Sequence, residues 1–107
     1  MDFNRHQFTE KATDDFYEIL DYITNTLYNP IAAKKFFAHV FDALDKLCLF
    51  PRSCPLVENE FIKRKGVRKA LIDNYILYYV YNEVESVIIV LRILYGGMNI
   101  DGILNTI

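Results

Sequence analysis

Apolar residues recur with a helical period up to Phe50, whereas from Val67 onward they fall in short β-branched and aromatic blocks. The chain is thereby divided into a helical half and a sheet-forming half. In the first, Ala12, Phe16, Ile19, Leu20, Ile23 and Leu27 mark one stripe from Glu10 to about Leu27, with Asp14, Asp15, Glu18 and Asp21 among the remaining positions. Thr9 is a helix-start signal, and acids weighted toward the first half suit the positive end of the helix dipole. Asn29-Pro30 restarts the chain, Asn as N-cap and Pro at the first helical position, where its missing N–H costs nothing. Ala33, Phe36, Phe37, Val40, Phe41, Leu44, Leu47 and Cys48 then give a second stripe, which Phe50-Pro51 ends. A very short connection between two such helices makes an antiparallel hairpin.

Residues 51 to 62 read as a loop, because Pro51, Ser53 and Pro55 resist regular structure and Glu58, Asn59 and Glu60 are polar. Val67–Ile72, Tyr75–Tyr81 and Val87–Tyr95 read as strands of an antiparallel meander, separated by turns at Asp73-Asn74 and from Asn82 to Ser86. The last is apolar on both faces and so is expected to be central and covered on both sides. A brief strand over residues 2 to 8, carrying Phe3 and Phe8, precedes the first helix. Gly96-Gly97 stops the last strand, and Asn99 can cap a final helical turn carrying Ile100, Ile103 and Leu104. The predicted fold is α+β, one domain over residues 1–107 in the order β-α-α-β-β-β, with the helical hairpin packed on a mainly antiparallel twisted sheet and a short helical tail. A hydrophobic share of 52% supplies one core at this length.

A formal net charge of -2 argues against a uniformly basic nucleic-acid binder, but Lys63, Arg64, Lys65, Arg68 and Lys69 form a run with no acid inside it. That run can dock phosphates or a partner's acidic side chains, or simply keep an edge strand soluble. Cys48 and Cys54 lack zinc or redox-dithiol spacing and fit inert thiols in a reducing cytosol. The N-terminus has no apolar signal core, and Asn82, Glu83 and Glu85 interrupt the apolar stretch from Tyr75 to Leu94, so neither a signal peptide nor a membrane span is expected.

Phosphate-binding glycine loops, nucleophile elbows and metal-ligand spacings are absent from the sequence, and no cofactor or metal is expected. His6 and His39 stand without a neighbouring acid or thiol in sequence and read as structural or solvated. Arg92 is sharper: it interrupts an apolar strand on the parity of Ile88, Val90 and Leu94, where a buried charge needs a carboxylate partner or an opening into a cleft. Tyr95 could stack on a base or donate a proton, although along an unbroken strand it would face away from Arg92 unless Gly96-Gly97 bends the chain.

Three groups of residues resemble the RelE/ParE toxins of bacterial type II toxin-antitoxin systems, the plasmid stabilisation proteins. They are Phe8–Ala12 leading to Asp15–Ile19 and Tyr22-Ile23; Asn29-Pro30 with Ala32, Ala33, Phe36 and Phe37, then Leu44, Leu47, Phe50 and Pro51; and Arg68–Leu71, Asn74–Val80 and Val90–Gly96. The resemblance implies a cytoplasmic growth-inhibiting toxin, wrapped by the extended C-terminal segment of a cognate antitoxin. Its target would be DNA gyrase, poisoned by binding, or the ribosome, where messenger RNA is cut. The ribonuclease branch is similar at Arg68, but Ile76 stands where those enzymes carry an arginine, and Tyr95 where many relatives carry a histidine with arginines soon after. Cleavage would then rest on Arg68 and Arg92 at the phosphate and Tyr95 for stacking or proton transfer, with the loop lysines. The ParE-like side, acting by contact, is therefore the expected one; a weakly toxic antitoxin-binding protein is a further alternative.

Overall fold

Thr9 opens the first helix as its sequence predicts. In the computed structural model, which describes residues 4–97 and 101–104, Thr9 Oγ1 accepts from the Ala12 amide at 3.1 Å. Helix α1 then runs from Glu10 to Asp21. Strand β1 (Arg5–Phe8) precedes it; Phe3, in the earlier part of the predicted strand, lies outside the described residues. The helical pattern reaches Leu27, but after Asp21 the backbone widens into a π-helical turn, Tyr22–Thr26, in which the Leu27 amide donates to the Tyr22 carbonyl at 3.0 Å. The wider turn keeps Ile23 in the core and leaves Leu27, expected on the buried stripe, 55% exposed.

Helix α2 (Pro30–Leu49) starts as expected, with Pro30 in its first turn and Asn29 Oδ1 accepting from the Ala32 amide at 3.1 Å. Ala33, Phe36, Val40, Leu44 and Leu47 form its buried stripe. Within the predicted loop the structure places a short helix, α3 (Glu60–Lys63), which the sequence reading missed. Asn59 Oδ1 accepts from the Phe61 and Ile62 amides, and Ile62 is fully buried. An asparagine cap three residues ahead of one anchoring apolar side chain was the available signal.

Strands β2 (Arg68–Ile72), β3 (Tyr75–Asn82) and β4 (Val87–Tyr95) form the meander. The sheet order is β1-β4-β3-β2, with β1 parallel to β4 and the other pairs antiparallel. As its composition predicts, β4 is central and covered on both faces. Ile88, Val90 and Ile93 join Phe16, Phe36 and Leu44 beneath the helical hairpin. On the other face Leu94 and Tyr78 pack with Val57, Ile62 and Val67. Helix α4 (Asp101–Leu104) follows, and its Ile103 packs against that second cluster; the expected Asn99 cap lies outside the described residues. Among the described residues no helix is long and apolar enough to cross a membrane.

One residue of β4 is supernumerary: Tyr79 faces Val90 and Tyr78 faces Arg92, so Leu91 has no partner across β3. This bulge overturns the expected common parity of Ile88, Val90, Arg92 and Leu94, because beyond it Ile93, not Leu94, points toward the helices. Beside it, the Tyr79 phenol donates to the Pro51 carbonyl at 2.9 Å and ties the start of the loop to the sheet. Burial, with the neighbouring Cys54 thiol, pushes this phenol above its ordinary pKa of 10. A raised folded-state value makes its contribution complete below pH 10 and lost as pH climbs beyond it. Tyr79→Phe is therefore expected to cost about 0.5–1.5 kcal/mol at neutral pH. The variant should also lose stability less steeply above pH 10, as read by chemical denaturation across the alkaline range; an unchanged slope would refute this.

Candidate functional site

Strand β1 ends at Phe8, opposite Val90, so the edge of β4 beyond Val90 must be satisfied by something else. Thr9 supplies the first groups: its amide donates to the Val90 carbonyl and its hydroxyl to the Leu91 carbonyl, each at 3.0 Å. Asp15, two turns into α1, supplies the next, with Oδ2 accepting from the Ile93 amide at 3.0 Å. The same carboxylate holds Arg92 through two bonds, Nε to Oδ2 at 2.7 Å and Nη2 to Oδ1 at 2.9 Å. Only 10% of the Asp15 side chain and 18% of the Arg92 side chain remain exposed. The hydrogen bond to Asp15 raises the Arg92 pKa above its ordinary value, against the opposing effect of burial, with further help from Asp15 and Glu18 charge. Of the two resolutions the sequence allows for a charge here, the carboxylate partner is present; Asp15 is a buried residue, not one of α1's solvated acids.

This pair forms part of the floor of a cleft of about 750 Å³ between α1, the π turn, the β3–β4 end of the sheet and α4. Ile19, Leu27, Ile93, Leu94 and Ile103 make its apolar walls, and Glu18, Tyr22, Tyr75 and Tyr95 also line it. Tyr75 and Tyr95 meet edge to face, 5.9 Å between centroids and 71° between planes. Burial, then the proximity of Tyr22 and Tyr95, pushes the Tyr75 phenol above its ordinary pKa. Tyr75 is thus a neutral phenol at physiological pH and no base. A protonated guanidinium already engaged by two oxygens and a set of tyrosines can bind a ligand, but among these lining residues there is no nucleophile with an adjacent base.

Arg92 and Tyr95, both singled out by sequence, therefore line one cleft although three positions separate them on a strand, because the Arg92 guanidinium turns to Asp15 at the strand edge. Arg68 does not join them. It lies on β2, across from Tyr79, and its Nη1 donates to the Cys54 carbonyl at 2.7 Å. Lys63, Arg64 and Lys65 are exposed at the end of α3 and in the turn after it, with the Lys65 ammonium 4.6 Å from the Phe61 ring centroid. Lys69 follows Arg68 on β2, and the basic run lies outside the cleft lining. His6 packs on the Phe8 and Phe41 rings. His39, without a nearby acid in sequence, meets one in space: its Nδ1 lies 2.9 Å from both Asp73 carboxylate oxygens, half exposed and outside the cleft. Among the described residues no cluster of three or more His, Cys, Asp or Glu could hold a metal ion. Sequence reasoning missed Asp15, Glu18, Tyr22 and Tyr75 as parts of a site. The first three share one face of a helix at spacings of three, four and seven, which was the legible signal.

Two solved structures share this architecture. A toxin-antitoxin complex, RelBE2 of Mycobacterium tuberculosis, contains a chain that matches with a TM-score of 0.61 at 18% identity, over 88% of this chain and 99% of that one. A chromosomal ParDE toxin-antitoxin system of P. aeruginosa matches with a TM-score of 0.66 at 20% identity, over 86% of this chain and 95% of that one. No curated protein matches the sequence. The family model described as ParE toxin of type II toxin-antitoxin system, parDE, matches residues 7–100, which takes in α1, α2 and α3, strands β2 to β4, the end of β1 and all but one of the residues lining the cleft. With nearly the whole fold inside that match, the chain belongs to the ParE toxin family of type II toxin-antitoxin systems.

Proposed function

We propose that this toxin acts by contact, inhibiting DNA gyrase without cutting a nucleic acid, and that a cognate antitoxin silences it. The observation that carries this reading is the dispersal of the groups a ribonuclease would need. Arg92 is committed to Asp15 and Arg68 to the Cys54 carbonyl, and Arg68 and the basic run are absent from the cleft that Arg92 and Tyr95 line. Cleavage of RNA needs a base for the 2′-hydroxyl and free cations at the phosphate, brought within hydrogen-bond reach of one another. The antitoxin partner is supported by family membership and by the two solved complexes, each of which pairs a similar chain with an antitoxin.

Induced expression in a bacterial host, without antitoxin, tests the reading through growth, plasmid supercoiling and RNA 5′-end mapping in the same cells. Growth arrest with gyrase-linked DNA damage and intact messages is the expected result. New in-frame cuts in translated messages that vanish in Tyr95→Phe would overturn it in favour of a ribosome-dependent endoribonuclease. Continued growth would overturn it in favour of a weakened, antitoxin-binding relative.

A further inference from the structure

The cleft has a charge character that its role in the fold does not use. Arg92 is bonded to Asp15 and also feels the charge of Glu18, so the lining residues hold two carboxylates against one guanidinium and carry a net negative charge. Glu18 is exposed and makes no hydrogen bond or ion pair with another described residue. One turn further along α1's axis, Tyr22 stands on the same side, and across the cleft Tyr75 and Tyr95 form their edge-to-face corner. Tyr22, Tyr75 and Tyr95 all line the same cleft. Tyrosine faces carry the negative end of the ring quadrupole, so a ring corner beside a carboxylate attracts a cation, most of all a planar one that can stack. Ile19, Leu27 and Ile103 offer apolar surface for an aliphatic stem. An anion would meet Glu18 and an arginine whose charge is already matched.

We propose that this cleft is a socket for an arginine side chain presented by a partner protein's extended segment, with a branched aliphatic residue beside it. The guanidinium stacks in the Tyr75–Tyr95 corner and pairs with Glu18, while the aliphatic neighbour lies on Ile19 and Leu27. This rests on the contact reading of the toxin and names the chemistry of what docks.

The test uses the purified chain and two tetrapeptides, acetyl-Ala-Leu-Arg-Ala amide and the same peptide with citrulline, a neutral isostere, in place of arginine. Binding is followed by amide chemical shifts in two-dimensional NMR. The arginine peptide is expected to shift resonances of Glu18, Tyr22, Tyr75 and Tyr95 saturably and to bind about tenfold more tightly than the citrulline peptide. Glu18→Gln, a surface substitution outside the core, should cut that preference to about twofold. Equal affinity for the two peptides, shifts centred elsewhere, no saturation up to about 10 mM, or a preference untouched by Glu18→Gln would each overturn the proposal. Gyrase-linked damage persisting in cells alongside such a result would mean that the socket fails while the contact reading stands.

Discussion

Asp15→Ala is expected to destabilise the protein by about 3–5 kcal/mol, the range for breaking a buried ion pair from one side. Three bonds are lost at once, two from Arg92 and one from the Ile93 amide, and both donors are left at a strand edge that β1 does not reach. Against a typical total of about 5–15 kcal/mol, that loss leaves a large share of molecules unfolded at growth temperature. Asp15→Asn keeps an acceptor for the Ile93 amide and should cost less. Joining Asp15→Leu with Arg92→Met should recover part of the alanine loss, since no uncompensated charge remains. Urea denaturation of the four proteins, wild type included, measures the series. A cost below about 1 kcal/mol for Asp15→Ala would mean that solvent screens the pair as it screens a surface salt bridge, and would remove it from the fold's essential contacts.

Phe36→Ala should be comparably severe, at about 3–5 kcal/mol. Phe36 is 2% exposed on α2 and bridges the hairpin to the sheet, its ring centroid 4.9 Å from that of Tyr75 and 6.0 Å from that of Phe16. Truncation leaves a cavity where α1, α2 and β3 converge, and the rings around it cannot close in without moving the helices. The same urea experiment reads this loss. Because Tyr75 also lines the cleft, the variant should in addition weaken cleft binding at urea-free conditions; a variant that is destabilised but binds normally would show that Tyr75 is held in place without Phe36.

Local chemistry made much of the fold legible. Thr9 and Asn29-Pro30 cap the helices as predicted, and β4 occupies the centre of the sheet because a strand apolar on both faces has to be covered twice. What stayed hidden depends on partners distant in sequence. The bulge at Leu91 is a property of the β3–β4 register, and nothing in Val90-Leu91-Arg92 alone distinguishes a bulged strand from a regular one. Asp15 looked like another solvated acid of α1 because the cation that buries it lies 77 residues away. The π turn at Tyr22–Thr26 left Leu27 exposed for the same kind of reason, since the helical period continues in sequence where the backbone geometry changes. At the candidate site, Arg92 and Tyr95 stood out through their positions on β4, whereas Glu18, Tyr22 and Tyr75 become neighbours only once the helices lie on the sheet.

The parallel pairing of β1 with β4 sets an order of events during synthesis. Thr9 finds its Leu91 partner across 82 residues, and Arg5 pairs beside Val87. A nascent chain elongating at about 5–20 residues per second must hold its first strand and the Asp15 carboxylate without partners until β4 has emerged. Contacts this remote carry the loop-closure cost of most of the chain, a cost that slows folding relative to a fold built from local contacts alone. The cleft, whose walls come from α1 and β4 together, cannot be complete until β4 has been synthesised. A chain cut short before Val87 lacks Arg92, Ile93, Leu94 and Tyr95, the β4 side of the cleft, and has no such surface to present.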